Sequence, residues 1–394
     1  MRLKNLTVSV GRFRQHPGRV VSLALLLSLL QPRVVRSEDS VSYKFQNYQE
    51  DADRILIRSH YLMGDKTIGD AFRLKVEGLI DSISGASPTG QPAPEGSDQV
   101  PLSELEDERK AIIIDASNQF GPQNVTLQYA YSTESDYDSN GVSVSLARDL
   151  NQKNTTLQFG YAYTDDSIRA LYLEDWQKKK THDFFAGVTQ LIDKNTVFTF
   201  NLSYGDISGF INDPYKLVEK NIELLPGLSL PLTFPENRPT HRTKFISYFG
   251  LTRHLENLNA SIDGSYRYFR DNHGIGSHTF QVEWFQKFGG SFILRPILRW
   301  YRQSAADFYY VTLDGTDIDP QEIPSGLAPH YSADYRISEF DAWTYGLKAV
   351  FEVNDWLRLD GAVERYEMSG RDGVTSASAY PKATVITVGA SAHF

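Results

Sequence analysis

From about residue 40 onward, apolar and polar residues alternate with a period of two. Thr155, Leu157, Phe159, Tyr161 and Tyr163 share one parity, and Thr156, Gln158, Gly160 and Ala162 the other. Phe198, Phe200, Leu202 and Tyr204 oppose Val197, Thr199, Asn201 and Ser203 in the same way. So do Phe280, Val282 and Trp284 against Gln281 and Glu283, and Leu357, Leu359, Gly361 and Val363 against Arg358, Asp360, Ala362 and Glu364. Successive side chains of a strand point to opposite faces, so each segment has one apolar and one polar face.

The pattern predicts strands at 40–48, 54–63, 71–84, 110–120, 124–132, 138–149, 154–164, 180–192, 196–208, 241–254, 259–271, 276–288, 291–303, 337–353, 357–368 and 380–394. A soluble sandwich also alternates, so the connections must discriminate. Tight ones at 120–124, 150–154, 192–195, 254–257, 288–290 and 353–355 alternate with long polar ones at 85–109, 164–180, 209–240, 303–336 and 369–379. A transmembrane barrel has that asymmetry, with short periplasmic turns and long extracellular loops. The expectation is an all-β, antiparallel, transmembrane β-barrel of 16 strands with both ends in the periplasm. The first two segments are the weakest, and without them the count is 14.

Before the first strand, an apolar block from Val20 to Leu30 follows Arg2, Lys4, Arg12, Arg14 and Arg19 and precedes Val35-Arg36-Ser37. That order reads as a signal peptide over residues 1–37, and the block is too short to span a membrane. It leaves 38–394 as the outer-membrane barrel. The chain has 40 basic and 49 acidic residues; seven of the basic and none of the acidic ones fall in 1–37, so the remainder carries −16. Such a surface is a poor match for nucleic acid. The absence of cysteine excludes disulfides, thiolate metal sites, a cysteine nucleophile, covalently attached haem and a lipoprotein anchor. At the other end Ile386, Val388, Ala390, Ala392 and Phe394 share a parity, resembling the terminal signal read by the barrel-assembly machinery, the expected partner in biogenesis. Outer-membrane lipid and lipopolysaccharide are the expected surroundings.

With apolar faces toward lipid, the polar faces line the lumen. Asp263, Arg267, Glu283, Arg295, Arg299, Lys348, Glu352, Arg358, Asp360 and Glu364 then point inward, with signs that alternate between neighbouring strands. They are either a mutually paired lining or a charged constriction, with Arg267, Arg295 and Arg299 as a cationic stripe. The connection 209–240 is the plug candidate: Pro214, Pro226, Pro231, Pro235 and Pro239 define its path, with 234–239 as a rigid polar tip. No catalytic set survives. Ser277 and His278 are neighbours on a strand and so face opposite ways, which places His278 with Phe280 and Trp284 at the lipid rim. No metal-binding His spacing or phosphate-binding glycine loop is present, and no cofactor is expected. The acidic run Glu104, Glu106, Asp107 and Glu108 reads as a solvated loop face, with a divalent-cation site bridging lipopolysaccharide as the alternative.

Residues 43–51, 83–90, 99–102, 106–109, 234–239, 301–309 and 364–373 together resemble domain-of-unknown-function family 3570, a group of predicted bacterial outer-membrane proteins. The resemblance runs over nearly the whole chain after residue 37. It implies a barrel and an outer-membrane address, and no activity or catalytic residue. Its matching stretches cluster near strand ends on the long-loop side, where Arg109, Arg238, Arg302, Asp307 and Arg371 are expected to form one network docking loops into the barrel mouth. The functional expectation is a porin-like or transport channel for small solutes, without enzymatic activity. The alternative is a non-conducting scaffold barrel that partners another envelope protein.

Overall fold

A computed structural model describes residues 39–394; the signal-peptide assignment over 1–37 lies outside the described residues. Among the described residues eighteen strands form: β1 (Ser40–Glu50), β2 (Ile55–Ile68), β3 (Phe72–Pro88), β4 (Leu102–Phe120), β5 (Gln123–Thr133), β6 (Tyr137–Leu150), β7 (Thr155–Ile168), β8 (Gln177–Asp193), β9 (Thr196–Gly209), β10 (Leu217–Leu225), β11 (Leu228–Pro235), β12 (His241–Leu255), β13 (Ala260–Asp271), β14 (Gly276–Phe288), β15 (Phe292–Gln303), β16 (Phe340–Glu352), β17 (Leu357–Gly370) and β18 (Lys382–His393). Sixteen of them close into one antiparallel barrel. β10 and β11 form a separate hairpin within the connection from β9 to β12. Closure is made by β1 on β18, paired from Ser40 opposite His393 to Glu50 opposite Ala383.

The register sorts side chains into two sets. Leu127, Val142, Phe159, Phe184, Tyr204, Phe249, Phe280, Leu298, Tyr345, Val363 and Val388 share the outward parity and are exposed. The inward rows hold Gln128, Ser132, Asn201, Thr279 and Glu283, which are buried within the wall. An exposed apolar belt around a polar interior is the signature of a transmembrane barrel. Sixteen strands give an interior wide enough for water and solute unless something fills it.

One end of the barrel carries only tight turns, such as 121–122 between β4 and β5 and 194–195 between β8 and β9. Gly121 makes the first of these, at φ 58°, a left-handed conformation that favours glycine. The longest connections, 89–101, 210–240, 304–339 and 371–381, all leave the opposite end. That end also has short turns at 51–54, 134–136 and 272–275, so length does not alternate strictly. Several strands run further toward the loop end than the apolar pattern indicates; β3 reaches Pro88 and β4 begins at Leu102. Within this extension Gly85 lets the β1–β2 turn pack against β3, because a β-carbon there would collide with the Arg54 carbonyl oxygen.

Candidate functional site

The long connections fold over the mouth and into it. Leu217 N donates to Thr89 O (2.9 Å), which joins the 210–240 connection to 89–101. Asn237 and Tyr331 exchange two backbone hydrogen bonds of 2.9 and 3.0 Å, which joins it to 304–339. Val100 N donates to Ser378 Oγ (3.1 Å), and the hydroxyls of Ser338 and Tyr380 lie 2.7 Å apart, which brings in 371–381. The result is a lid stitched from four connections. It rests on lumen-facing strand residues, since Tyr335, Tyr380 and Val100 cluster with Phe340, Ala342 and Met368, all buried. A second cluster of Val218, Leu313, Tyr331 and Ala333 lies within the lid itself.

The lid is held by a buried ionic network. The Arg238 guanidinium lies between Glu236 (2.6 Å) and Asp334 (2.7 Å), with all three side chains essentially inaccessible. Arg336 pairs with Asp334 (2.8 Å) and with Asp213. Ser332 Oγ donates to Glu236 (2.5 Å), and Arg238 N donates to Asn212 Oδ1 (2.7 Å). Burial alone would raise the Asp334 carboxyl, but the Arg336 and Arg238 guanidinia hold it well below the usual range. Lys216 is buried beside these groups and donates to the Pro88 carbonyl. Burial pulls its ammonium down to about 8, with Arg336 adding to the effect. Charges so far from water persist only when paired and hydrogen-bonded, so the network fixes one arrangement of the loops.

This arrangement corrects the reading of 234–239 as a loop tip. Glu236 and Asn237 are fully buried at the base of the connection, because the intervening chain turns back on itself as β10 and β11 around Pro226-Gly227. What projects is the hairpin, with Leu224, Leu225, Leu228, Leu230 and Leu232 exposed.

The five residues expected to form one docking network are separated by the structure. Arg238 is central to the lid. Arg109 points inward and pairs with Asp81. Arg302 has the outward parity; it pairs with Asp341 (2.7 Å) and lies over the Trp300 ring (5.1 Å). Arg371 joins Asp341 (3.7 Å) and Glu339 (3.1 Å) at the same outer rim. Asp307 belongs to the 304–339 connection, where its N–H donates to His273 O (2.9 Å). The reason is strand parity: Arg302 and Arg109 occupy opposite faces of the wall. Sequence reasoning missed Asp213, Lys216, Ser332, Asp334 and Arg336. The one local signal is a shared acid-x-Arg triplet, Glu236-Asn237-Arg238 and Asp334-Tyr335-Arg336.

All ten lumen candidates occupy inward positions of the register. Arg295 pairs with Glu283, Lys348 with Asp360 (3.0 Å) and Arg358 with Glu352 (3.6 Å). Thr252 Oγ1 donates to Asp263 (2.5 Å). Arg267, Arg299 and Glu364 have no such partner among the described residues. Ser277 faces inward and is buried, whereas His278 faces outward and shares a 2.8 Å hydrogen bond with the Tyr266 hydroxyl. Phe394 is exposed, and its N–H donates to Asp39 O (2.9 Å) across the seam of the barrel.

The acidic run is split by parity: Glu104, Glu106 and Glu108 face outward, and Asp107 faces inward. There Asp107 meets Glu134 and Asp136 of the β5–β6 turn, with carboxylate oxygens within 4.8 Å of one another. Among the described residues this is the group whose spacing suits a cation. Burial raises Glu134 to about 7. Burial together with Glu134 and Asp107 raises Asp136 to about 8.

No curated protein matches this sequence. Among solved structures the chain is similar to the siderophore receptor PirA from Pseudomonas aeruginosa, at 11% identity and TM-score 0.45. The match covers 91% of this chain and 62% of the receptor, so the chain spans about three-fifths of that protein. It is also similar to a bacterial polysaccharide outer membrane secretin (7% identity, TM-score 0.48), covering 91% of this chain and 99% of that one. For the outer-membrane expressed OmpT of Vibrio cholerae the values are 8% identity and TM-score 0.43, with 92% and 100% covered. Residues 21–391 match the family described as protein of unknown function (DUF3570), and the chain belongs to that family.

Proposed function

We propose that this protein is an outer-membrane transport barrel that passes small solutes through a lumen capped by its own loops. The observation that carries the reading is the inner wall of β12–β17. It is charged, mostly in matched pairs across strands, and it lies inside an apolar belt in a barrel wide enough to conduct. In this reading the loop end faces the exterior and the lid is the gate. A non-conducting scaffold that partners another envelope protein is the second reading; the stitched lid and the exposed leucines of β10–β11 favour it.

Planar-bilayer recording on the purified barrel separates the two. The transport reading expects discrete conductance steps that enlarge or lengthen when Arg238→Met loosens the lid. A barrel that migrates as folded in unheated detergent gels, yet stays silent both as wild type and as the variant, would leave only the scaffold.

A further inference from the structure

Among the inward-facing cations of β12–β17, most meet a carboxylate. Arg242 pairs with Asp271 (2.5 Å), Lys244 with Asp183 (3.0 Å), and Arg295, Lys348 and Arg358 with the partners given above. Arg267 and Arg299 do not. They flank β14, which places only the neutral Thr279 and Gln281 between them: Arg267 stands opposite Thr279, and Gln281 opposite Arg299. Two strand spacings and a two-residue offset put their backbones about 12 Å apart, within reach of two long side chains. Like charges sharing a confined space repel, and a counter-ion between them would remove the cost. Glu364, which also lacks a partner, lies two strands from Arg299 and one inward position nearer the turn end.

Beside Arg299 is a cavity of about 300 Å³, lined by Arg299, Tyr301, Phe340, Ala342, Thr344 and Tyr366. Phe340 and Ala342 also pack with Tyr335 and Tyr380 of the lid, so the cavity adjoins the lid's underside. The lining combines a guanidinium, aromatic faces and hydroxyls. A guanidinium grips a carboxylate through two parallel hydrogen bonds, and aromatic rings offer apolar area to a flat body. We propose that this cavity under the lid binds a small organic anion, a carboxylate on a planar or aromatic body, held by Arg299 with Arg267. The proposal names a substrate class for the transport reading and rests on that reading only for what happens after binding.

Titration calorimetry of the full-length barrel in detergent, with benzoate as probe, tests it. Saturable binding at one site is expected, with acetate much weaker and benzylamine not bound. Arg267→Gln and Arg299→Gln should each weaken benzoate tenfold or more. Arg299→Lys should recover part of the loss, and Glu364→Gln should leave binding unchanged or tighter. Heat-modifiable gel migration shows which variants are folded. The proposal is overturned if folded wild type does not bind benzoate, or if a folded Arg267→Gln, Arg299→Gln double variant binds it equally well. Conductance is read separately. A silent barrel that binds benzoate keeps the site and removes transport, whereas a conducting barrel that ignores benzoate keeps transport and removes the site.

Discussion

Arg238 is the side chain whose loss leaves most behind, because Glu236 and Asp334 would remain buried with a cation removed from between them. Breaking a buried pair from one side costs roughly 3–5 kcal/mol. Arg238→Met should therefore loosen the lid without unfolding the wall, seen as faster protease cleavage within 304–339 while the folded gel mobility is kept. The carboxylates of Glu134 and Asp136 work in the opposite sense. Their folded values, about 7 and about 8, lie above the ordinary carboxylate range. The folded turn therefore holds protons that the unfolded chain has released. Stability from these groups is present at low pH and is lost as pH rises toward 8. Amide protection at residues 134–137, taken relative to the intrinsic exchange rate at each pH, should be greater at pH 5.5 than at pH 8.5. Asp136→Asn should flatten that difference, and an unchanged difference would contradict the assignment.

At the level of the strand, parity decides tolerance. Val363 and Ala362 are neighbours in the middle of β17, with Val363 outward and exposed and Ala362 inward opposite Lys348. An arginine on the lipid face near mid-depth costs about 2–4 kcal/mol. Val363→Arg should accordingly lower folded yield and denaturant resistance, while Ala362→Arg should change conductance more than stability. The same parity explains what could be read from sequence. Each membrane-crossing segment needs an unbroken apolar row, so the sixteen strands show themselves as alternation. Beyond the belt that demand lapses. In β4, Glu104, Glu106 and Glu108 still alternate with Leu105 and Asp107, but no apolar row marks the extension and the strand reads as loop. The lid was less legible still. Arg238 meets Asp334 96 positions away, Arg336 meets Asp213 at 123, and Lys216 meets Pro88 at 128. No local period records such contacts. The prolines of 209–240 did signal a defined path, but not that 234–239 is its buried base.

For the molecule as a whole, the lid makes four connections behave as one body. Contacts run from Thr89 through Leu217, Asn237 and Tyr331 to Ser338 and Tyr380, so a ligand or partner that moves one loop must move or detach the others. That is the property a gate needs, and it serves a docking platform equally well. The seam between β1 and β18 carries a different consequence. Its paired residues are more than 330 positions apart in the chain, and until they meet, the sheet has two open edges ready to join any other strand. Loop closure over such a span is slow compared with pairing of neighbouring strands. The last bonds to form are therefore the ones that abolish both edges at once. A chain stalled before that step would be an almost complete sheet with both edges open to any other strand, so closing the seam is what protects this fold from edge-to-edge aggregation.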